Sequence, residues 1–415
     1  MALSFFPEWG WWPLIVAFSP WILRFIKKDP KIQRTPYDLL IMIFMISALV
    51  GFWAAYNQDR AFHKILLLIG AILLFYSLTR QSFDNLWLVI LILGFWGVLT
   101  NIIFLLITDW MIYSPDLGLV EQIGKWLTNI RPNLNFTSRL DTHRFHPNIV
   151  GGINAVLMPL CTASTIHFWG KKNKYLTAIS VCILLLIGFG LVLTSSRAAW
   201  VATICGFVLF SALNISVFSR LSTRNQILVL LPLLITALGL STPTVLAEFF
   251  AETTKPITEL TSFSSRIIIA KDTILLIADF PFTGGGLGSF PGLYSEYMLV
   301  IPHFMFNYSH NLYLDLALEQ GIVGLLLWTG IILVCGITLT SVIKTHPQKI
   351  LSQRFLATSV YASLIILLVH GIADDPIYSN VWGLPFLFLL PGFSVAISEK
   401  NQVFVINKLA ARQFE

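Results

Sequence analysis

Lys171-Lys-Asn-Lys-Tyr-Leu-Thr-Ala-Ile-Ser-Val-Cys-Ile-Leu-Leu-Leu-Ile-Gly-Phe-Gly-Leu-Val-Leu-Thr-Ser-Ser-Arg197 carries the plan of the whole chain. A basic end is followed by an apolar run over 174–194, uncharged beyond Lys174, and the run ends in a polar corner with one arginine. A bilayer crossing needs about 20 apolar residues as a helix, the only single-segment structure that satisfies its own backbone in lipid. The run has that length, and Arg197 sits at the far end from the lysines.

Working outward, the same unit recurs. Apolar runs near 11–26, 37–55, 61–79, 86–108, 146–168, 174–194, 198–218, 226–247, 311–343, 354–373 and 381–398 predict an all-α, polytopic membrane bundle of about eleven spans, ten to twelve. The first run holds Pro13 and Pro20, which leaves the N-terminal topology open between a tilted crossing and an interfacial segment. The N-terminus is rich in tryptophan (Trp9, Trp11, Trp12) and lacks an initial basic region, so a retained first segment is expected rather than a cleaved leader. Composition agrees with the bundle. The chain has 415 residues, 56% of them hydrophobic and 12% charged, against about 25% charged in a soluble domain. One membrane domain, 1–415, is expected.

Most of the 27 lysines and arginines fall in alternate connections: Arg24 to Arg34, Arg80, Lys171 to Lys174, Arg220 and Arg224, Lys344 to Arg354, and Lys400 to Arg412. The positive-inside rule makes that side cytoplasmic, the C-terminus included. The net charge of +6 is therefore a topology signal, and no nucleic-acid partner is expected. Cys161, Cys182, Cys205 and Cys335 all lie in apolar runs without a C-x-x-C pair, which argues against disulfide, zinc or redox roles.

Two long connections, 109–145 and 248–310, fall on the outer side, where long loops tend to carry function. In the second, Arg266-Ile-Ile-Ile-Ala-Lys-Asp-Thr-Ile-Leu-Leu-Ile-Ala-Asp-Phe280 predicts a helix stopped by Pro281. At 100° per residue Arg266 shares a face with Ala270, Thr273 and Ile277, away from Asp272 and Asp279. An arginine on such an apolar face must snorkel or meet an anion.

Three polar marks lie at outer ends: Arg197, Arg266, and His310 at the start of an apolar run. Each arginine also reads as an interfacial anchor, and His310 as a helix cap. A helix N-terminus favours neutral imidazole, the form a general base needs. Asn311, Asp315 and Glu319 form an i, i+4 stripe entering the membrane, and the two acids read as catalysts or as structural partners. Gly284-Gly-Gly-Leu-Gly-Ser-Phe290 lacks the dinucleotide spacing and reads as a turn before a phosphate loop. Arg139, His143, Arg144 and His146 fit no zinc pattern, and no D-x-D is present to hold a metal–nucleotide complex, so neither metal nor cofactor is expected.

Four pieces in order, Arg139-Leu140 with Arg144-Phe-His-Pro-Asn148, Thr194-Ser-Ser-Arg-Ala198, Ser265-Arg266 with Asp279-Phe-Pro-Phe-Thr-Gly-Gly-Gly-Leu-Gly288, and His310-Asn311 with Glu319-Gln-Gly321 and Gly324, resemble the O-antigen ligase and polymerase superfamily. The resemblance runs from Arg139 to Trp328. It implies a glycosyltransferase-C-like membrane enzyme with His310, Arg197 and Arg266 as catalytic residues and Arg139, Arg144, Asn311, Gly286 and Gly288 in substrate binding. The implied donor is a polyprenyl-pyrophosphate-linked glycan, and the acceptor is lipid A-core or another glycan or lipid. The implied place is the periplasmic face of a bacterial inner membrane, in contact with membrane lipids. Ala198 departs from the glycine common there, and the second outer loop is modest in length. Polymerase remains an alternative with a different acceptor. A branch labelled as bicarbonate transport keeps a solute transporter in view, although the predicted span centres carry little charge beyond His370, with Asn101 and Asn154 as polar exceptions.

Overall fold

The computed structural model describes residues 34–108, 146–218, 262–297, 306–345, 351–380 and 383–398, with isolated positions elsewhere. Among these residues every regular element is a helix. In chain order they are α1 Asp38–Trp53, α2 Gln58–Thr79, α3 Phe83–Ile107, α4 Pro147–Gly170, α5 Lys174–Leu193, α6 Arg197–Phe218, α7 Ser262–Asp279, α8 Phe290–Tyr297, α9 Leu312–Thr345 and α10 Leu351–Ala373. A final apolar helix, α11, covers Leu384–Ser398. Seven helices among the described residues are long and apolar enough to cross a membrane, whereas α1 and α11 are shorter. The expected spans near 11–26 and 226–247 and the connection 109–145, with Arg139 and Arg144, lie outside the described residues apart from isolated positions.

The centre of the bundle is α4, whose span is buried throughout and which packs on α3, α5, α6 and α10. Small residues make this possible. With Gly151, Gly152, Ala155, Ala163, Ser164 and Thr165 along it, neighbouring backbones can approach closely. A Cβ at Gly152 would stand 2.8 Å from the His370 ring carbon. The two polar exceptions of the sequence meet here: Asn154 donates to Asn101 Oδ1 at 2.7 Å, and Asn101 donates to the Leu186 carbonyl at 3.2 Å. Such interhelical bonds are worth about 0.6–2 kcal/mol in lipid, and these tie α3, α4 and α5 in register.

The run expected as one uninterrupted span, 311–343, is broken. Gly321 has φ 71° and ψ 178°, so α9 is two helices meeting at a corner. The Gly-rich turn fills that corner. Ile322 N–H donates to the Pro281 carbonyl at 2.8 Å, Gly285 N–H donates to the Leu318 carbonyl at 2.6 Å, and Ser47 Oγ donates to the Gln320 carbonyl at 3.1 Å. The backbone groups freed by the break thus find partners, as they must inside a membrane. A Cβ on Gly321 would collide with the Phe282 carbonyl. Gly321→Ala is therefore expected to cost at least the roughly 1–3 kcal/mol of a strained backbone position, read as a lower Tm in detergent. An unchanged Tm would show that the corner is dispensable.

The helix expected at 266–280 is present and starts earlier, at Ser262. Beside it lies the short α8, a second helix of the 248–310 connection. The two helices enclose a small core of Ile269, Leu276, Phe290, Leu293, Tyr294 and Leu318, the last from α9. This core fixes the described part of the 248–310 connection to α9.

Candidate functional site

Four helix ends converge on one carboxylate, Asp374, in the turn that follows α10. Its side-chain partners come from α4, α7 and the segment just ahead of α9. Asn148 Nδ2 donates to Oδ2 at 2.9 Å, His310 Nδ1 lies 3.3 Å from Oδ2, and Arg266 Nη2 lies 3.4 Å from it. The Asp375 backbone N–H donates to Oδ1 at 2.9 Å. An acid at a helix C-terminus opposes the dipole, so this concentration of donors and cations is what makes the position tenable. Burial alone would raise the Asp374 pKa. The hydrogen bond from His310 and the nearby His310, His146 and Arg266 charges outweigh it and hold the carboxyl well below the usual range.

The three members differ in access. The Asp374 side chain is 0% exposed, His310 16% and Arg266 27%. A substrate can therefore reach the imidazole and the guanidinium but not the carboxylate. A carboxylate only accepts, so a bond from Nδ1 requires the proton there and leaves the lone pair on Nε2. This is the arrangement of an oriented base. The Tyr308 ring lies tilted against the imidazole at 4.5 Å between centroids, and the His146 ring meets it edge-on at 5.8 Å. Burial, then the Asp374 and Asp375 charges, push the Tyr308 hydroxyl well above its ordinary value, which keeps it protonated.

Local sequence explains how each group is held. His310 has φ 57°, a left-handed conformation rare outside glycine and enriched at functional positions. Ser309 N–H donates to Asp315 Oδ1 at 2.8 Å, and Asn311 Oδ1 accepts from Tyr313 and Leu314 N–H at 3.0 Å as the cap of α9. Arg266 points inward, as its helical phase predicts: Thr273 on the same face is fully buried. Arg197 opens α6 after a tight turn in which Ser195 also has a positive φ, 45°. Ser196 caps that helix, and the Trp200 indole donates to the Leu191 carbonyl at 3.0 Å, closing the α5–α6 corner. A Cβ at Gly151 would be 2.9 Å from Ser196 Cβ, so the Arg197 turn rests on α4 three residues from Asn148. Arg197 thus sits at the same end of the bundle as the Asp374 group.

Asn311 Nδ2 donates to the Ile372 carbonyl at 2.9 Å, so its amide joins α9 to the end of α10. Gly286 has φ 99° and packs on the Ala54–Ala55 backbone, with Leu287 N–H donating to the Gly51 carbonyl at 2.9 Å. Gly288 lies over Arg60. These glycines have a packing reason for their identity. Asp374, Tyr308 and Asn148 are what sequence reasoning left without a role. Asn148 stood inside a quoted motif, and Asp374-Asp375 is an acid pair at the end of a span; neither signal says which distant residues it meets.

Among the described residues no group of three or more His, Cys, Asp or Glu could hold a metal ion. A search of curated proteins returned no match to this chain. Residues 182–329 match the family model described as O-antigen ligase, and that match, which holds Arg197, Arg266 and His310 and stops short of Asp374, supports membership of the O-antigen ligase superfamily.

Proposed function

We propose that this membrane protein transfers a glycan from a polyprenyl-pyrophosphate carrier to an acceptor hydroxyl, with inversion, on the outer face of the cytoplasmic membrane, the C-terminus lying inside. The observation that carries the reading is the meeting of a reachable histidine and a reachable arginine on one buried carboxylate. The acceptor hydroxyl attacks the anomeric carbon as the bond to the pyrophosphate oxygen breaks. His310 Nε2 takes the hydroxyl proton, and the electron pair leaves on the pyrophosphate. Arg266 and Arg197 meet that growing charge with planar forks that match phosphate oxygens. Asp374 touches no substrate and orients the base. Arg139 and Arg144 would add contacts to the glycan or pyrophosphate, and Asn311, Gly286 and Gly288 would serve through atoms not engaged in packing.

The test is transfer in detergent from a lipid-linked glycan to lipid A-core by the purified chain. The expected result is extended acceptor with release of polyprenyl pyrophosphate. If neither lipid A-core nor a second lipid-linked glycan is extended by folded protein, the reading fails. A product built only on the lipid-linked glycan would make the chain a polymerase. Uptake of labelled bicarbonate into liposomes, with no transfer, would make it a transporter.

A further inference from the structure

A second gathering of buried charge lies deeper than the Asp374 group and has no part in the chemistry above. Lys64 is six residues into α2 and Glu319 seven residues into α9, each about 10 Å along its helix from the outer end. Lys64 Nζ is 2.5 Å from Glu319 Oε2, with the two side chains 10% and 4% exposed. The same ammonium stands 3.8 Å from the centre of the Tyr378 ring. Gln320 Nε2 donates to the Tyr378 hydroxyl at 2.8 Å.

Both sides of this contact lead to the site. Tyr378 belongs to the turn that begins with Asp374, and Asp375 ties that turn together: its carboxylate accepts from Ile377, Tyr378 and Ser379 N–H at 3.1, 2.7 and 2.8 Å. Its own N–H holds Asp374 Oδ1. Glu319 closes the short first half of α9, one helical turn from Asp315, which holds the residue before His310. A buried ion pair is seldom worth more than an apolar pair of equal size, so stability gives little reason for a lysine here. Registry between the two halves of the site gives one.

We propose that Lys64 is a positioning residue for the transfer reaction, its ammonium locking the 374–380 turn to the broken helix so that Asp374 meets His310 and Arg266. The proposal rests on the reading of those three residues as the site. Lys64→Met keeps the length and removes the charge. In the purified chain, hydrogen exchange across 374–380 is expected to rise about tenfold or more, while α5 is unchanged. With a lipid-linked glycan donor, kcat is expected to fall about 10–100-fold, the cost of a site displaced by about an ångström, and donor KM to move less than about threefold. Combined with Asp374→Asn, the loss is expected to be no greater than for Asp374→Asn alone, because both act through one geometry. Multiplying losses, or unchanged exchange at 374–380, would overturn the proposal. If Lys64→Met does not fold, Tyr378→Phe keeps the ring under the ammonium and removes the Gln320 bond; a smaller loss that fails to add to Asp374→Asn supports the lock, and an additive one overturns it. Wild type that transfers nothing would defeat the site reading, while the exchange result still decides the lock.

Discussion

Asp374→Asn is expected to lower kcat about 10²–10⁴-fold, the range a positioned general base supplies, and so to cost as much as His310→Ala. Asparagine nearly matches aspartate in shape, so packing is spared. What changes is the sign of the contact. An amide can offer N–H to Nδ1 and stabilise the tautomer whose Nε2 carries the proton, which disables the base without moving it. The substitution also leaves Arg266 without its buried counter-charge. Breaking a buried pair costs about 3–5 kcal/mol. The 27% exposure of Arg266 places this pair toward the lower end. Activity per folded molecule therefore has to be read beside Tm. The pH profile checks the charge state of the carboxyl. Because the Asp374 carboxyl is held well below the usual range, it stays ionised wherever transfer is measurable and contributes no limb. A folded Asp374→Asn protein within about tenfold of wild type would remove Asp374 from the mechanism.

The bundle was legible because its determinants are local. Apolar length and alternating basic ends are one-dimensional signals, and they place Arg197, Arg266 and His310 at one end before any coordinates are known. The face of Arg266 was legible for the same reason: helical phase needs only neighbours, and the burial of Thr273 agrees with it. The corner at Gly321 was not. Its apolar flanks, Leu314 to Leu318 and Ile322 to Leu327, keep helical spacing through the break. What opens it is a carbonyl forty residues earlier, at Pro281. Asp374 was hidden for the same reason, since its partners are 226, 108 and 64 residues away. The Gly-rich turn read as a turn, yet its packing against the corner of α9 joins two motifs that seemed separate in the sequence.

Arg266→Ala and Arg197→Ala are each expected to lower kcat at least as far as His310→Ala does. The leaving group explains the order. Polyprenyl pyrophosphate departs readily once its charge is met, so charge stabilisation outweighs the help given to the nucleophile. One preorganised donor in a shielded site is worth about 2.7–4 kcal/mol, or about 10²–10³ in kcat, and each arginine brings a two-pronged donor with full charge. For Arg266 the alanine variant mixes two losses, because Asp374 would also lose a counter-charge. Arg266→Lys separates them. Lysine can still face Asp374 but offers a point charge in place of the fork, so stability should recover nearly to wild type while kcat recovers only in part. Should both Arg266→Ala and Arg197→Ala raise donor KM and leave kcat untouched, the arginines bind ground state and transition state alike. The carriage of leaving-group charge would then have to come from elsewhere, with Arg139 and Arg144 of the first outer connection the next residues to replace.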